Sequence, residues 1–472
     1  MATGKKETVW GTKLGFYLAA VGSAFGLGNL WRFPYVVAEN GGGAFVLLYL
    51  MLAFLIGTPF LVAELSLGKI SRSSIMSALL KLSGDRHQSR ELQDKDYPMP
   101  FWVRPVLPYI GKISIFLSLL VLAYYAVISG WVLHFLVQLV LSSARGEIVN
   151  PETSLHFLMN NGWLQFALTG VHLIVVAFVV AKDLEEGIEK WLGYSVPLFG
   201  ILVIILAYRS MSLDQSQAAI RFLFYPDFSK LKISSLGEAL GHVMFTLSVG
   251  FGVMVTFGSY LRERASLPIA GFRVTTLDCL ISLGAGIMIF PLVIYGGFQD
   301  AGPSLLFHAV PKLLAQIPGG QAFGIGFFLC LYLASIGASI GLLETVVANM
   351  RETRRIKRSF AAWAAAGVAL LIAIWPALSS SVLSSFRFHG NSLLELWDAA
   401  LINWFLPVVA LLISQVVAWL LNSELKKAEF TEEQASSGEL LYRHWIFVLR
   451  YVAPPIVFLA LGLQLVGLLQ KI

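Results

Sequence analysis

Charge is scarce in this chain. Asp, Glu, Lys and Arg make up 13% of its 472 residues, against ~25% in an ordinary soluble domain. A water-facing surface cannot be assembled from so few ionic groups, which excludes a soluble multi-domain enzyme. Cysteine is scarcer still. Cys279 and Cys330 are the two, both inside apolar stretches, and they read as reduced core residues rather than a disulfide framework. The eight histidines are scattered, with no His-Glu-x-x-His zinc helix and no phosphate-cradling loop, so common catalytic signatures are missing and no enzyme is expected. The net charge of +6 comes from Lys and Arg placed between apolar runs. That pattern sets topology; it is not the one-sided basic face that binds nucleic acid. Lys5, Lys6 and Lys13 lead into an apolar run without a small-residue cleavage site, so no cleaved leader is expected.

What is abundant is apolar length. Hydrophobic residues reach 57% and the mean hydropathy is +0.74. About 20 apolar residues cross a ~30 Å hydrocarbon core. Eleven runs qualify, near 13–38, 43–70, 108–142, 163–182, 189–209, 236–260, 272–298, 321–350, 360–383, 393–421 and 446–470. They are unbroken rather than alternating, which argues against a β-barrel and for an all-α multi-pass membrane protein. With the N-terminus placed in the cytoplasm, 25 of the 34 Lys and Arg fall on the cytoplasmic side and eight on the other. The positive-inside rule then gives a cytoplasmic N-terminus and an outer C-terminus in the inner (plasma) membrane. Two connections exceed a turn. The segment 71–107 reads as a charged cytoplasmic insertion. The segment 302–320, from Gly302-Pro303 past Pro311, reads as a short re-entrant or capping helix pair on the outer face.

Two spans are interrupted. The first carries Gly22-Ser23-Ala24-Phe25-Gly26-Leu27-Gly28-Asn29, and the sixth carries Phe245-Thr246-Leu247-Ser248-Val249-Gly250-Phe251-Gly252. Glycine permits an unwound turn, and unwinding frees backbone groups that lipid cannot satisfy, so they must face protein or a cavity. Half-helix N-termini attract an anion and loose carbonyls a cation. Small residues also serve close helix packing. Two such stretches, each opening a set of five spans, favour a binding site at mid-membrane.

Gly26-Leu27-Gly28-Asn29-Leu30-Trp31-Arg32-Phe33-Pro34-Tyr35, followed by Glu39-Asn40-Gly41-Gly42-Gly43-Ala44-Phe45, resembles the first-helix signature of the neurotransmitter:sodium symporter family. Phe245-Thr246-Leu247-Ser248 through Gly252 is similar to its sixth helix, and Gly187 and Pro197 fit its fifth-helix pattern. The resemblance spans residue 10 to about 420 and is nearest to bacterial eleven-helix amino-acid transporters. It implies two inverted five-helix repeats, 10–209 and 236–421, with helices 1 and 6 broken around a central site. Helix 11, 446–470, completes one transporter domain, 1–470.

The resemblance also implies roles for particular residues. Tyr125 and the amides near Leu27 and Gly28 would bind the carboxylate of an amino-acid zwitterion. Carbonyls near Ala24, Phe245 and Thr246, with Ser248, would meet its amine, and Ser23 would also belong to the substrate site. Gly26 stands where monoamine carriers have Asp, so the substrate must bring its own carboxylate. Val121, Phe245, Phe251, Ala338 and Leu342 would form an apolar side-chain pocket suited to hydrophobic or aromatic L-amino acids, with Phe251 and Tyr125 as its lid. A first sodium would be held by Ala24, Asn29, Thr246 and Asp278. The covalent charge of Asp278 would make chloride dispensable, although Ser282 follows the chloride-dependent pattern. A second sodium would find carbonyls at Gly22, Phe25 and Ala334 but no side-chain ligands at Gly337 and Ala338, which favours one-ion coupling. Arg32 would close the outer vestibule against Asp398, with Glu395 as the other register. Lys6 would pair with Glu352 inside, braced by Tyr260. Glu64 would hold the unwound part of helix six, and His242 near the ion site is either a proton-coupling group or a packed core residue. The implied activity is sodium-coupled symport by alternating access, with proton-coupled or one-sodium transport as the alternative. A ligand-gated channel or a receptor is the rival class. The implied partners are the substrate and the lipid bilayer, and the implied assembly is a monomer or a weak homodimer.

Overall fold

A computed structural model of the chain describes residues 9–84, 91–147, 151–214, 216–261, 266–295, 307, 310, 311, 319–388, 390–431 and 435–470. Ten helices among them are long and apolar enough to cross a membrane: α1 (Lys13–Glu39), α2 (Gly43–Ser71), α3 (Leu107–Arg145), α4 (Gly162–Ala181), α5 (Leu184–Met211), α7 (Leu267–Ile294), α8 (Gly320–Arg354), α9 (Arg358–Leu378), α10 (Leu393–Trp419) and α11 (Gly438–Leu469). The eleventh span, α6, is two short helices, Ser235–Thr246 and Val253–Ser259. Neither half is long enough alone, because the chain unwinds between them. The expected all-α membrane architecture with broken first and sixth helices is therefore the one observed. The expected outer helix pair at 302–320 lies almost wholly outside the described residues.

Apolar side chains sort the helices into inner and outer positions. Most of α1 is enclosed by protein (83%), whereas 28% of α5 and 22% of α11 are. Ile204, Tyr208 and Phe458 are exposed on the outer faces, where apolar side chains meet lipid. The centre is filled by α1, α6, α3 and α8, whose residues Leu27, Leu30, Phe257, Val121 and Ile340 are inaccessible. Thr12 caps α1 by accepting from Gly15 N at 2.8 Å, and Glu189 at the start of α5 accepts from Gly11 N at 2.9 Å. The first satisfies an amide that the helix start leaves open; the second ties the residue before the cap to α5.

Part of the 71–107 insertion is stitched to the end of α10. Asp94 N donates to Leu420 O at 2.9 Å and Asn422 N to Leu92 O at 2.8 Å. Beside this seam the helix Ser423–Thr431 buries Lys426, whose Nζ donates to Val417 O at 2.9 Å and Ala418 O at 3.1 Å. Burial pushes the Lys426 ammonium down to about 7, with Asp94 opposing and Arg450 adding to the depression. An unfolded lysine keeps its proton to about 10.4. The folded state thus binds fewer protons between these values, and stability rises with pH across that window and is flat below it. The thermal midpoint of the purified protein is expected to rise between pH 7 and 9, and Lys426→Met to flatten the rise.

Candidate substrate and ion site at the helix breaks

The α1 break falls between Ala24 and Gly28, where Phe25 leaves helical geometry (φ −76, ψ 92). The α6 break runs from Leu247 to Gly252. There Ser248, Gly250 and Gly252 have φ of 54, 91 and 74, a left-handed conformation that glycine adopts without a Cβ penalty. Freed backbone groups in α6 are claimed by neighbouring side chains. Glu64 Oε1 accepts from Gly250 N at 2.6 Å, Ser114 Oγ donates to Gly250 O at 2.9 Å and Ser118 Oγ donates to Phe251 O at 3.3 Å. The two breaks are also tied to each other, since Ser248 Oγ donates to Ser23 O at 3.0 Å. Replacing Glu64 by Leu leaves a buried amide without its acceptor, a loss of about 1–3 kcal/mol. A drop of several degrees in thermal midpoint is the expected reading, with Glu64→Gln intermediate.

Between the breaks lies a cavity lined by Ser23, Ala24, Gly26, Gly28, Tyr125, Phe245, Thr246, Ser248, Phe251, Ala338 and Leu342. Its free volume is ≈ 20 Å³, about one water, so this is a closed form. Tyr125 Oη accepts from Leu27 N at 2.7 Å, which leaves its own O–H directed elsewhere. Leu27 itself lies behind the wall and contributes its amide. Val121, expected in the pocket, is fully buried in the core and does not line the cavity. From α3 it is Tyr125 that lines the cavity, while Ser114 and Ser118 serve the α6 break. A Cβ on Gly26 would come within 2.6 Å of Tyr125 Oη and 2.9 Å of the Ala338 Cβ.

Asp278 on α7 is fully buried. Its Oδ1 accepts from Asn29 Nδ2 at 2.6 Å and its Oδ2 from Tyr49 Oη at 3.2 Å. Asn29 Nδ2 also reaches Ser282 Oγ at 2.9 Å, and the Thr246 side chain lies beside Asp278, its hydroxyl donating to Val243 O at 3.3 Å. Asn29, Thr246 and Asp278 thus form one oxygen-rich cluster beside the cavity. At the other expected ion position, a Cβ on Gly337 would lie 2.5 Å from Gly22 O. Helix α8 presses against that carbonyl, and no side chain projects from Gly337 to share an ion with it. His242 packs between Phe33 (5.6 Å, stacked) and Tyr49 (5.3 Å). The run Gly337 to Gly341 spells Gly-x-Ser-x-Gly, yet it lies inside continuous α8 rather than on the strand-to-helix turn of a nucleophilic serine. Ser339 there meets His172 Nε2 at 2.9 Å.

On one end of the site Arg32 Nε lies 3.4 Å from Asp398 Oδ2, with both side chains buried. Glu395 is otherwise engaged, closing a capping box with Ser392 at the start of α10, so Asp398 is the register the structure adopts. At the opposite end lies Glu352, the acid expected to pair with Lys6. Lys6 lies outside the described residues, and both Glu352 carboxylate oxygens accept from Ser74 N, at 3.1 and 3.0 Å. Ser74 stands at the N-cap position of the helix Ile75–Ser83, and a carboxylate at a helix N-terminus is well placed. Tyr260 braces a different acid. Its hydroxyl donates to Glu344 Oε1 at 2.8 Å, and Arg358 grips Glu344 in two bonds of 2.9 and 2.6 Å. The Trp10 indole closes the same end by donating to Phe257 O at 3.1 Å.

A helical bundle with two unwound helices around a small cavity, and a buried ion pair at each end, defines a membrane carrier. The protein belongs to the sodium:neurotransmitter symporter family, whose model matches residues 7–84 and 149–471. An uncharacterized sodium-dependent transporter, YhdH of Bacillus subtilis, is 31% identical over 99% of both chains. The sodium-dependent serotonin transporter of Drosophila melanogaster is 25% identical over 73% of this chain and 59% of its own. A crystal structure of MhsT in complex with L-phenylalanine superposes with a TM-score of 0.83 at 30% identity, covering 96% of this chain and 99% of MhsT. The protein is therefore a multi-pass, sodium-dependent symporter of this transporter family that carries a small-molecule substrate.

Proposed function

We propose that the substrate is a hydrophobic or aromatic L-amino acid, carried with one sodium ion and without chloride. The observation that carries this reading is Gly26. The contacts a Cβ would make there leave no room for an acidic side chain to meet a bare amine, so the carboxylate must come with the substrate. Tyr125 and the Leu27 and Gly28 amides receive that carboxylate, and carbonyls of Ala24, Phe245 and Thr246 with Ser248 receive the amine. Phe245, Phe251, Ala338 and Leu342 hold an apolar side chain. Phenylalanine bound to MhsT supports the choice. Substrate entry requires the walls to part, because the closed cavity is smaller than any amino acid.

The sodium lies among Ala24 O, Asn29, Thr246 and Asp278, sharing the substrate carboxylate, so each favours the other's binding. Asp278 supplies the fixed negative charge that removes the need for chloride. The tight contact of Gly337 with Gly22 O supports one sodium rather than two, with Gly22, Phe25 and Ala334 left as backbone carbonyls alone. Proton coupling through Asp278 is the competing reading, favoured by its neutral hydrogen-bond partners. Uptake driven by a pH gradient in Na⁺-free medium would establish it.

In this reading residues 10–209 and 236–421 are the inverted repeats, the N-terminus is cytoplasmic, Arg32–Asp398 is the outer gate and Glu344–Arg358 with Tyr260 is the inner one. The substrate class is tested by thermal stabilisation in Na⁺ against the twenty L-amino acids and phenethylamine. Phenylalanine, leucine and tryptophan are expected to stabilise by several degrees; lysine, glutamate and the carboxylate-free amine are not. Equal stabilisation by glutamate or phenethylamine would sink the reading.

A further inference from the structure

Arg32 is held less by its carboxylate than by an amide. The Arg32 Nε contact with Asp398 is long at 3.4 Å, whereas Nη2 donates to Asn403 Oδ1 at 2.8 Å. The Asp398 carboxylate is occupied by two phenols, Tyr35 Oη on Oδ2 at 3.1 Å and Tyr124 Oη on Oδ1 at 3.1 Å. Arg32 is 1% exposed, and its Nη1 has no hydrogen-bond partner among the described residues. The buried guanidinium thus has no acceptor to spare, and the shortest of its bonds goes to a neutral group.

Asn403 reaches Arg32 because the helix is locally π. Residues five apart in an α-helix, at 3.6 residues per turn, point about 140° away from each other. Asp398 and Asn403 are five apart, but Ala399–Phe405 is a π-turn, whose i to i+5 bonding brings such residues onto one face. The first half of α6 locks this turn in place. A Cβ on Gly241 would lie 2.7 Å from Ile402 O and 3.0 Å from Asn403 Oδ1, so the two helices touch at this level.

We propose that Asn403 is a positioning residue of the outer gate, a second anchor for Arg32 that the π-turn of α10 exists to present. The proposal rests on the reading of Arg32–Asp398 as that gate. Its physical sense lies in reversibility. A lone guanidinium–carboxylate pair removed from water is costly to separate. Sharing Arg32 with an amide, and Asp398 with two phenols, spreads the closure over bonds that open one at a time.

The test uses full-length protein in proteoliposomes, with L-phenylalanine uptake under a Na⁺ gradient and the thermal midpoint read in parallel. Asn403→Leu removes the anchor, so closure weakens. KM is expected to rise about tenfold with kcat kept, the scale of a hydrogen bond to a charged group. Asn403→Asp keeps the acceptor and adds charge, so closure tightens. There kcat is expected to fall about tenfold with KM not raised. Opposite signatures from the two variants are what an anchor produces and a packing role does not. If Asn403→Leu fails to fold, Asn403→Ser carries its expectation. Wild-type behaviour of both variants, or a shared loss of kcat, KM and thermal midpoint, overturns the proposal. Arg32→Gln separates the two levels. If it impairs uptake while the Asn403 variants are silent, the gate reading stands and the anchor falls; if it is silent too, both fall.

Discussion

Gly26→Ala is expected to cut amino-acid uptake by about 100-fold or more while leaving the fold intact, a loss of roughly 3 kcal/mol or more in productive binding. The added methyl has no empty space to enter. It meets Tyr125 Oη at 2.6 Å and the Ala338 Cβ at 2.9 Å, both closer than real Cβ contacts come. Ala338 is fixed on α8, so Tyr125 must move. Its hydroxyl is the one that accepts from Leu27 N and ties α3 to the α1 break, where the substrate carboxylate is proposed to bind. Tyr125→Phe removes the same hydroxyl without a clash and is expected to lose less. Substrate binding measured beside uptake checks the order, Gly26→Ala below Tyr125→Phe below wild type. Full uptake by Gly26→Ala would mean the cavity between the breaks is not where the substrate sits.

Asp278→Ala carries the second large effect. The carboxylate is the one ionic group in its cluster, and Asn29, Tyr49 and Ser282 are organised around it. An acid at this depth costs several kcal/mol to insert, a cost offset when a cation shares the site. Removing it takes away the charge and the carboxylate acceptor of Asn29 and Tyr49, leaving both to share Ser282 Oγ. Na⁺-driven uptake is expected to become undetectable, and the Na⁺ concentration for half-maximal binding to rise at least about tenfold. Asp278→Asn preserves the hydrogen bonds in part and removes only the charge. It is expected to bind substrate weakly and to regain some transport when chloride is added. Unchanged Na⁺ dependence in Asp278→Asn would remove Asp278 from the ion site.

The spans and both breaks were legible in the sequence for simple reasons. Apolar length identifies membrane helices, and clusters of glycines with hydroxyls, which singly would serve helix packing, point to a site when they recur in the first and sixth runs. Intramembrane charge made Arg32, Glu64, Asp278 and Asp398 stand out. Glu344 was missed although the same signal applied to it, and its partner Arg358 hid at the end of the basic run that starts at Arg351. Pairing of Glu352 with Lys6 lies beyond the described residues, whereas the contact of Glu352 with Ser74 at a helix start has no sequence signal, because it joins residues 278 apart. Ser114 and Ser118 look like ordinary helix residues until the carbonyls they donate to come unwound. Asn403 was illegible for a geometric reason. Read at 3.6 residues per turn it faces away from Asp398, and only the π-turn brings it round. Val121, expected in the side-chain pocket, is not among the residues lining the closed cavity, where Tyr125 one helical turn further along α3 takes the wall.

The most direct test of the account is concentrative uptake of L-phenylalanine into proteoliposomes, with an inward Na⁺ gradient and chloride replaced by gluconate on both sides. The account predicts accumulation above equilibrium that collapses when K⁺ replaces Na⁺. Accumulation driven equally well by a proton gradient without Na⁺, or lost when chloride is withdrawn, would contradict it.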